Sequence, residues 1–253
     1  MKSGSLKTKL IIFLLSFSAL AAILARDIFY FLSILLAAVL CIFSEAVIVY
    51  LDSKKLAFSE SALISGLIVG LVLSSDNPWW IIGLASLFAV VSKYIIRVNT
   101  KHVFNPAALG IFLVVLLFGA TTQWKGTYLW YALLPLGSYF IIKIRKVDLL
   151  LSYFITTLIL FGSQTALKNT PLADIFGYLN YFFIFIMLIE PKTTPVKPLG
   201  KIIFGAGVAL LIFILTETGV KFDAEIISLL LLNLAVPALN KFPIYSGNKI
   251  TNN

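Results

Sequence analysis

The sequence predicts an all-α polytopic membrane protein of about ten transmembrane helices, and three observations carry that reading. Hydrophobic residues fill 60% of its 253 positions and charged residues 12%, a balance outside that of soluble domains. The apolar residues gather into ten runs separated by short polar segments. The 20 Lys and Arg are divided unevenly between alternate segments. One set holds Lys2, Lys7, Lys9, Lys54, Lys55, Lys93, Arg97, Lys101, Lys143, Arg145, Lys146, Lys192, Lys197, Lys201, Lys241 and Lys249. The other holds only Arg26, Lys125, Lys168 and Lys221. Lys and Arg accumulate on the cytoplasmic side of membrane proteins, so a 16:4 division places both termini in the cytoplasm. The same spread accounts for the net charge of +9 without a basic groove, and nucleic acid is not an expected partner.

The first span runs from about Leu10 to Ala25. Three lysines precede it, as in a secretory signal, but a second apolar run follows at once, so a retained helix is expected. The second span is Ile28–Leu51, the third the short run Ser61–Leu73, and the fourth Trp79–Ile96, opening on an aromatic pair suited to an interface. Asn105–Phe118, Thr127–Ile142 and Asp148–Leu167 give the fifth to seventh; Ala173–Ile189, Gly200–Thr216 and Asp223–Leu239 give the eighth to tenth. Residues 1–242 read as one integral membrane domain and 243–253 as a polar tail.

A crossing needs about 20 residues, so the third and fifth spans are too short. Short or interrupted segments at membrane depth must be buried or line a cavity, the alternative being simple tilting or local thinning of the bilayer. Lys101-His102-Val103-Phe104-Asn105 before the fifth span resembles Lys221-Phe222-Asp223 before the tenth: a basic residue, a Phe, then an Asn or Asp cap. The two enter from opposite faces, the pattern of two inverted five-helix halves around a central site.

Cys41 and His102 are each alone, which excludes a disulfide framework and a zinc or haem site built on a histidine pair. No catalytic side chain is expected. Glu45 lies within the second span, either as part of an ion pathway or with its carboxylate reaching Lys54 or Lys55 at the interface. Ser61, Ser65, Gly66 and Gly70 form a small-residue face, for helix packing or for a planar ligand. Two loops are stiff and polar: Lys101 to Ala107, and Glu190 to Gly200 with Pro191, Pro195 and Pro198 fixing the backbone around Glu190, Thr193 and Thr194.

These loops carry a family resemblance. Ser61-Ala62-Leu63-Ile64-Ser65-Gly66-Leu67, Asn77-Pro78-Trp79-Trp80, Phe104-Asn105-Pro106-Ala107, Met187 to Pro195, Lys201 to Gly207 and Asp223 to Pro237 with Asn233 occur in order. They resemble the RnfD component of Rnf electron-transport complexes and the NqrB component of the sodium-translocating NADH:quinone reductase. The resemblance implies a ten-helix subunit in the prokaryotic inner membrane, with membrane and flavin or iron–sulfur subunits as partners. It implies a non-covalent riboflavin or FMN beside Asn105. His102, Phe104, Glu190, Thr193 and Thr194 are the other expected contacts, and His102-Val103 departs from the Asn-Pro of the family motif. That family also carries FMN on the Thr of an S-G-A-T motif. Phe118-Gly119-Ala120-Thr121-Thr122 approaches it, but the Ser is a Phe and the spacing from Asn105 is too short, so covalent FMN on Thr121 or Thr122 is not expected.

The function expected is that of a non-autonomous subunit of an ion-translocating oxidoreductase, holding flavin and coupling electron transfer to cation transport. A small-solute channel or transporter on the same inverted-repeat fold, without redox activity, is the alternative; a pure assembly subunit is a third.

Overall fold

The computed structural model describes residues 5–55, 58–98 and 101–241, and the expected polar tail lies outside them. Among the described residues there are nine α-helices: α1 (Leu6–Ala25), α2 (Ile28–Ser53), α3 (Glu60–Val72), α4 (Trp79–Ile95), α5 (Pro106–Phe118), α6 (Trp130–Lys143), α7 (Val147–Leu167), α8 (Pro198–Glu217) and α9 (Ala224–Leu239). Several starts are fixed locally. Ser5, Asp27, Ser59 and Asn105 accept hydrogen bonds from Thr8, Phe29, Ala62 and Ala108 N–H groups, each satisfying a first-turn donor that the helix cannot. Asp223 stands at the same position of α9 without capping it; its carboxylate is engaged elsewhere.

Helices α1, α2, α7 and α8 are long and apolar enough to cross a bilayer. Helices α3 and α5 have 13 residues each, about 20 Å at 1.5 Å per residue, against about 30 Å of hydrocarbon. A single eighth span over Ala173–Ile189 does not form. Leu172–Tyr178 is 3-10 helix, the chain breaks at Leu179-Asn180, and a short helical segment resumes at Tyr181 with a π turn over Phe183–Met187. Asn180 Oδ1 accepts from Phe183 N at 3.0 Å and restarts the helix, while Leu188 N reaches back five residues to Phe183 O at 2.9 Å. Two short strands, β1 (Arg97–Val98) and β2 (Lys101–His102), pair antiparallel before α5, where the sequence predicts no strand.

Helix α2 packs on α3 and α4, and α4 on α5; in the second part of the chain α7 packs on α8 and α8 on α9. Gly66 and Gly70 turn to α2, where an added Cβ would meet Ala38 Cα at 2.6 Å and Ile34 Cα at 2.5 Å. The small-residue face is therefore used for close helix packing on its glycine side. Helices α5 and α9 contact each other antiparallel: the start of α5 meets Asn233 late in α9, and the segment after α5 meets Asp223 before α9.

Four lysines counted in the sequence as loop charges are buried: Lys93, Lys125, Lys146 and Lys201. Lys93 belongs to α4 and pairs with Glu45 at 2.9 Å. Glu45 is thus bound to Lys93 and to Ser59 Oγ at 2.8 Å, rather than to Lys54 or Lys55. The reason is depth: a buried carboxylate requires a partner beside it, and Lys93 on the neighbouring helix supplies one.

Candidate functional site: a cavity between the broken elements

A cavity of about 290 Å³ opens where the short elements meet. Its walls come from α1 (Leu6, Leu10), α3 (Ser61, Ile64, Ser65, Ile68), the start of α5 (Asn105, Pro106, Ala107), α6 (Phe140, Ile144) and the chain from Phe185 to Lys192. The lining is mostly apolar, with Ser61, Ser65, Asn105, Glu190 and Lys192 as its polar members and Lys7 at its edge. Ligand pockets follow this plan, an apolar enclosure with a few placed polar groups, and occupy about 300–1,000 Å³.

Behind the wall lies one hydrogen-bond network. Asn105 is buried; its Oδ1 caps α5, and its Nδ2 stands 3.5 Å from Met187 O, at the limit of a hydrogen bond. Its backbone N donates to Asn233 Oδ1 at 2.9 Å, and Asn233 Nδ2 donates to Thr193 O at 2.9 Å. Thr193 Oγ1 donates to Glu190 Oε2 at 3.3 Å, and Thr194 Oγ1 to Glu190 O at 2.7 Å. His102 Nε2 lies 3.5 Å from Glu190 Oε1 and makes no hydrogen bond. The proline-rich loop is held further by Lys146 Nζ on Pro195 O at 2.5 Å and by Val196 N on Asn240 Oδ1 at 2.9 Å. Burial, with Lys201 and Lys101 adding repulsion, pushes the Lys146 amine down to about 8.

The predicted residues are therefore brought together, in two ranks. Asn105 and Glu190 border the cavity; His102, Thr193 and Thr194 stand behind it, and Phe104 packs on the apolar core. Glu45 lies apart, with Lys93 and Ser59. Thr121 and Thr122 are at the other end of α5. Thr122 Oγ1 donates to Asp223 Oδ2 at 2.6 Å, beside Trp124 Nε1 on Asp223 Oδ1 at 3.2 Å, and Thr121 N donates to Asn77 Oδ1 at 3.0 Å. The sequence reading missed Asn233 as a site residue. An uncharged amide alone in the apolar run of α9 was its signal, since buried polar groups within spans join helices by hydrogen bonds.

This architecture defines a class: a multi-pass α-helical membrane protein with short and broken helices around a polar-edged cavity. The particular family follows from comparison. A profile of the NQR2, RnfD, RnfE family matches residues 5–136 and 129–246, and the chain belongs to that family. It is similar to the RnfD component of the ion-translocating oxidoreductase complex of Marinobacter nauticus, with 25% identity over 89% of this chain and 87% of the relative. It is also similar to the RnfD component of Buchnera aphidicola, with 22% identity over 91% and 92%. A shorter match to the RnfD component of Erwinia tasmaniensis reaches 32% identity over 37% of this chain and 28% of the relative. The Marinobacter alignment extends over 306 positions against the 253 residues here, so the relative contains inserted stretches.

Proposed function

We propose that this chain is the membrane subunit of an Rnf-like, ion-translocating oxidoreductase complex, and that its cavity holds a flavin, riboflavin or FMN, without a covalent bond. The observation that carries the reading is the enclosure itself: the short helix α3, the broken segment, the Asn105 cap and the Glu190 loop border one cavity, and the cap and the loop are tied to each other through Asn233. The residues fit a planar, largely apolar ring. Phe140 and Phe185 supply apolar walls. Asn105 Nδ2 has only a 3.5 Å contact for its two hydrogens, which leaves a donor for a ring carbonyl. Bound there, a flavin supplies one- and two-electron chemistry, while the chain supplies position and electrostatics. The apolar wall excludes water, and Glu190 stands at the rim with His102 behind it.

The chain is further read as two five-element halves in inverted topology: α1 to α5, then α6, α7, the broken segment, α8 and α9. The antiparallel α5–α9 pair supports this. Both termini face the cytoplasm in this reading. Setting aside the four buried lysines leaves thirteen Lys and Arg against three, so the asymmetry survives. Partner subunits of the complex supply the remaining redox centres.

Purified protein should show flavin absorbance that acid precipitation releases fully into the supernatant. Asn105→Ala removes the cap, at a cost of about 1 kcal/mol, and should lower flavin occupancy while leaving insertion intact. Protein purified with its complex yet free of flavin, or Asn105→Ala with unchanged occupancy, would refute the assignment. Thr121 and Thr122 are engaged with Asn77 and Asp223, and no fluorescent band is expected after denaturing electrophoresis. A fluorescent band lost in Thr121→Ala or Thr122→Ala would reverse that expectation.

A further inference from the structure

The first short helix ends in a cage of oxygens suited to a cation, and the chain fills that cage itself. Lys125 is 1% exposed. Its Nζ donates to Gly70 O at 2.7 Å, to Ser33 Oγ at 3.1 Å and to Leu73 O, and it lies 5.3 Å from the centre of the Tyr30 ring. An ammonium has three donors, and three oxygens meet them. Gly70 O and Leu73 O belong to the C-terminal end of α3, where carbonyls have no helical partner and the helix dipole is negative. Among the described residues, no carboxylate lies within ion-pair distance of Lys125. The charge is met by backbone dipoles, a hydroxyl and a ring face, which is how membrane proteins bind a desolvated monovalent cation at the end of a short helix.

The delivery is fixed as well. The segment after α5 runs against the end of α3: Ser74 N donates to Thr121 O at 3.0 Å, Gln123 N to Val72 O at 2.8 Å, and Lys125 N to Leu71 O at 2.6 Å. Gly126 then turns the chain at φ 80°, where a Cβ would meet the Phe17 ring at 2.6 Å. The lysine is thus placed by its own backbone, with α1 and α3 on either side.

We propose that Gly70 O, Leu73 O and Ser33 Oγ form a monovalent-cation site whose occupant is the Lys125 ammonium, a tethered cation that closes this route to free ions. The cage stands independently of any flavin. Its consequence for ion traffic rests on the reading of the chain as part of an ion-translocating complex: an ion carried by this protein passes elsewhere than the end of α3.

The test is chemical rescue of the full chain in detergent, read by thermal unfolding. Lys125→Ala should unfold several degrees below the parent protein. Methylammonium chloride should recover most of that loss, tetramethylammonium chloride at equal ionic strength should not, and the parent protein should not distinguish the two salts. Equal responses of Lys125→Ala to both salts, or Lys125→Met as stable as the parent, overturns the proposal. Ser33→Ala keeps the lysine, removes one oxygen and serves if Lys125→Ala does not accumulate. A lowered unfolding temperature in it supports the cage, and an unchanged one overturns it. None of these readouts depends on flavin content or electron transfer, so failure here and failure of the proposed function are separate results.

Discussion

Two short apolar segments that border the cavity, α3 and the stretch from Tyr181 to Ile189, are held in opposite ways. Helix α3 is regular, and charge is matched to its dipole at both ends. Glu60 sits in its first turn, Glu45 holds the Ser59 cap, and Lys125 sits on its last carbonyls. The second segment is irregular. It is restarted by an amide, Asn180, carries a π turn, and ends at Glu190, a carboxylate at the unfavourable end of the dipole. Its last turn has a neutral partner, the Asn105 amide at 3.5 Å from Met187 O. The contrast teaches where adaptability has been kept. One short helix is locked by ionic contacts and serves as a wall. The other retains weak, neutral contacts and an irregular turn beside the cavity, and π turns are frequent at functional sites.

Removing a charge at the locked helix should have the largest effect. Glu45→Ala leaves the Lys93 ammonium buried and unpaired and releases the Ser59 cap, a loss of about 3–5 kcal/mol for a broken buried pair. Thermal unfolding followed by intrinsic fluorescence reads it. The control is Lys168→Ala, which breaks a 3.6 Å pair with Glu217 that is well exposed on both sides. Such pairs contribute under about 1 kcal/mol, and equal losses from the two substitutions would dissolve the contrast.

Next in size are the close contacts. Gly70→Ala forces a Cβ into the backbone of α2, and overpacking of this kind costs about 1–3 kcal/mol. Gly137→Ala meets the Phe185 side chain instead. Because Phe185 lines the cavity, this substitution should lower occupancy by the proposed flavin more than it lowers stability, whereas Gly70→Ala should do the reverse. A shared profile for both variants argues that the segments are equally rigid.

A smaller effect is expected from pH. The Lys146 amine, held at about 8 by burial against an ordinary value of 10.5, is charged in the unfolded chain over a range where it is neutral in the fold. The unfolded state then binds more protons, so stability rises with pH between about 8 and 10.5, and the gain is lost as pH falls through that window to about 8. Lys146→Met should flatten that rise. A slope unchanged in the variant assigns it to other groups.

What was legible in the sequence was local. The Asn105 cap is an interaction three residues long, and the apolar runs gave most helix boundaries to within a few residues. The partners of Asn233 lie 128 and 40 residues away, and those of Lys125 are 92, 55 and 52 residues away. Pattern reading assigns such groups to a span or a loop and cannot see that they converge. The break at Leu179-Asn180 was hidden for a related reason. Ala173–Ile189 is apolar enough to read as one helix, and only the packed chain shows where its backbone is re-satisfied. The lysine count treated all twenty basic residues as loop charges, and it had no means of seeing that Lys93, Lys125, Lys146 and Lys201 are buried.

Trp124 gives the protein a built-in optical gauge. Trp79, Trp80 and Trp130 are exposed, open to lipid chains in a bilayer. Trp124 instead donates to Asp223 and meets the edges of Phe182 and Phe183. Brominated lipids should therefore extinguish the emission of three indoles and spare the fourth. The light that survives comes from the junction of α3, α9 and the broken segment, and its colour and lifetime report directly on whether that junction moves.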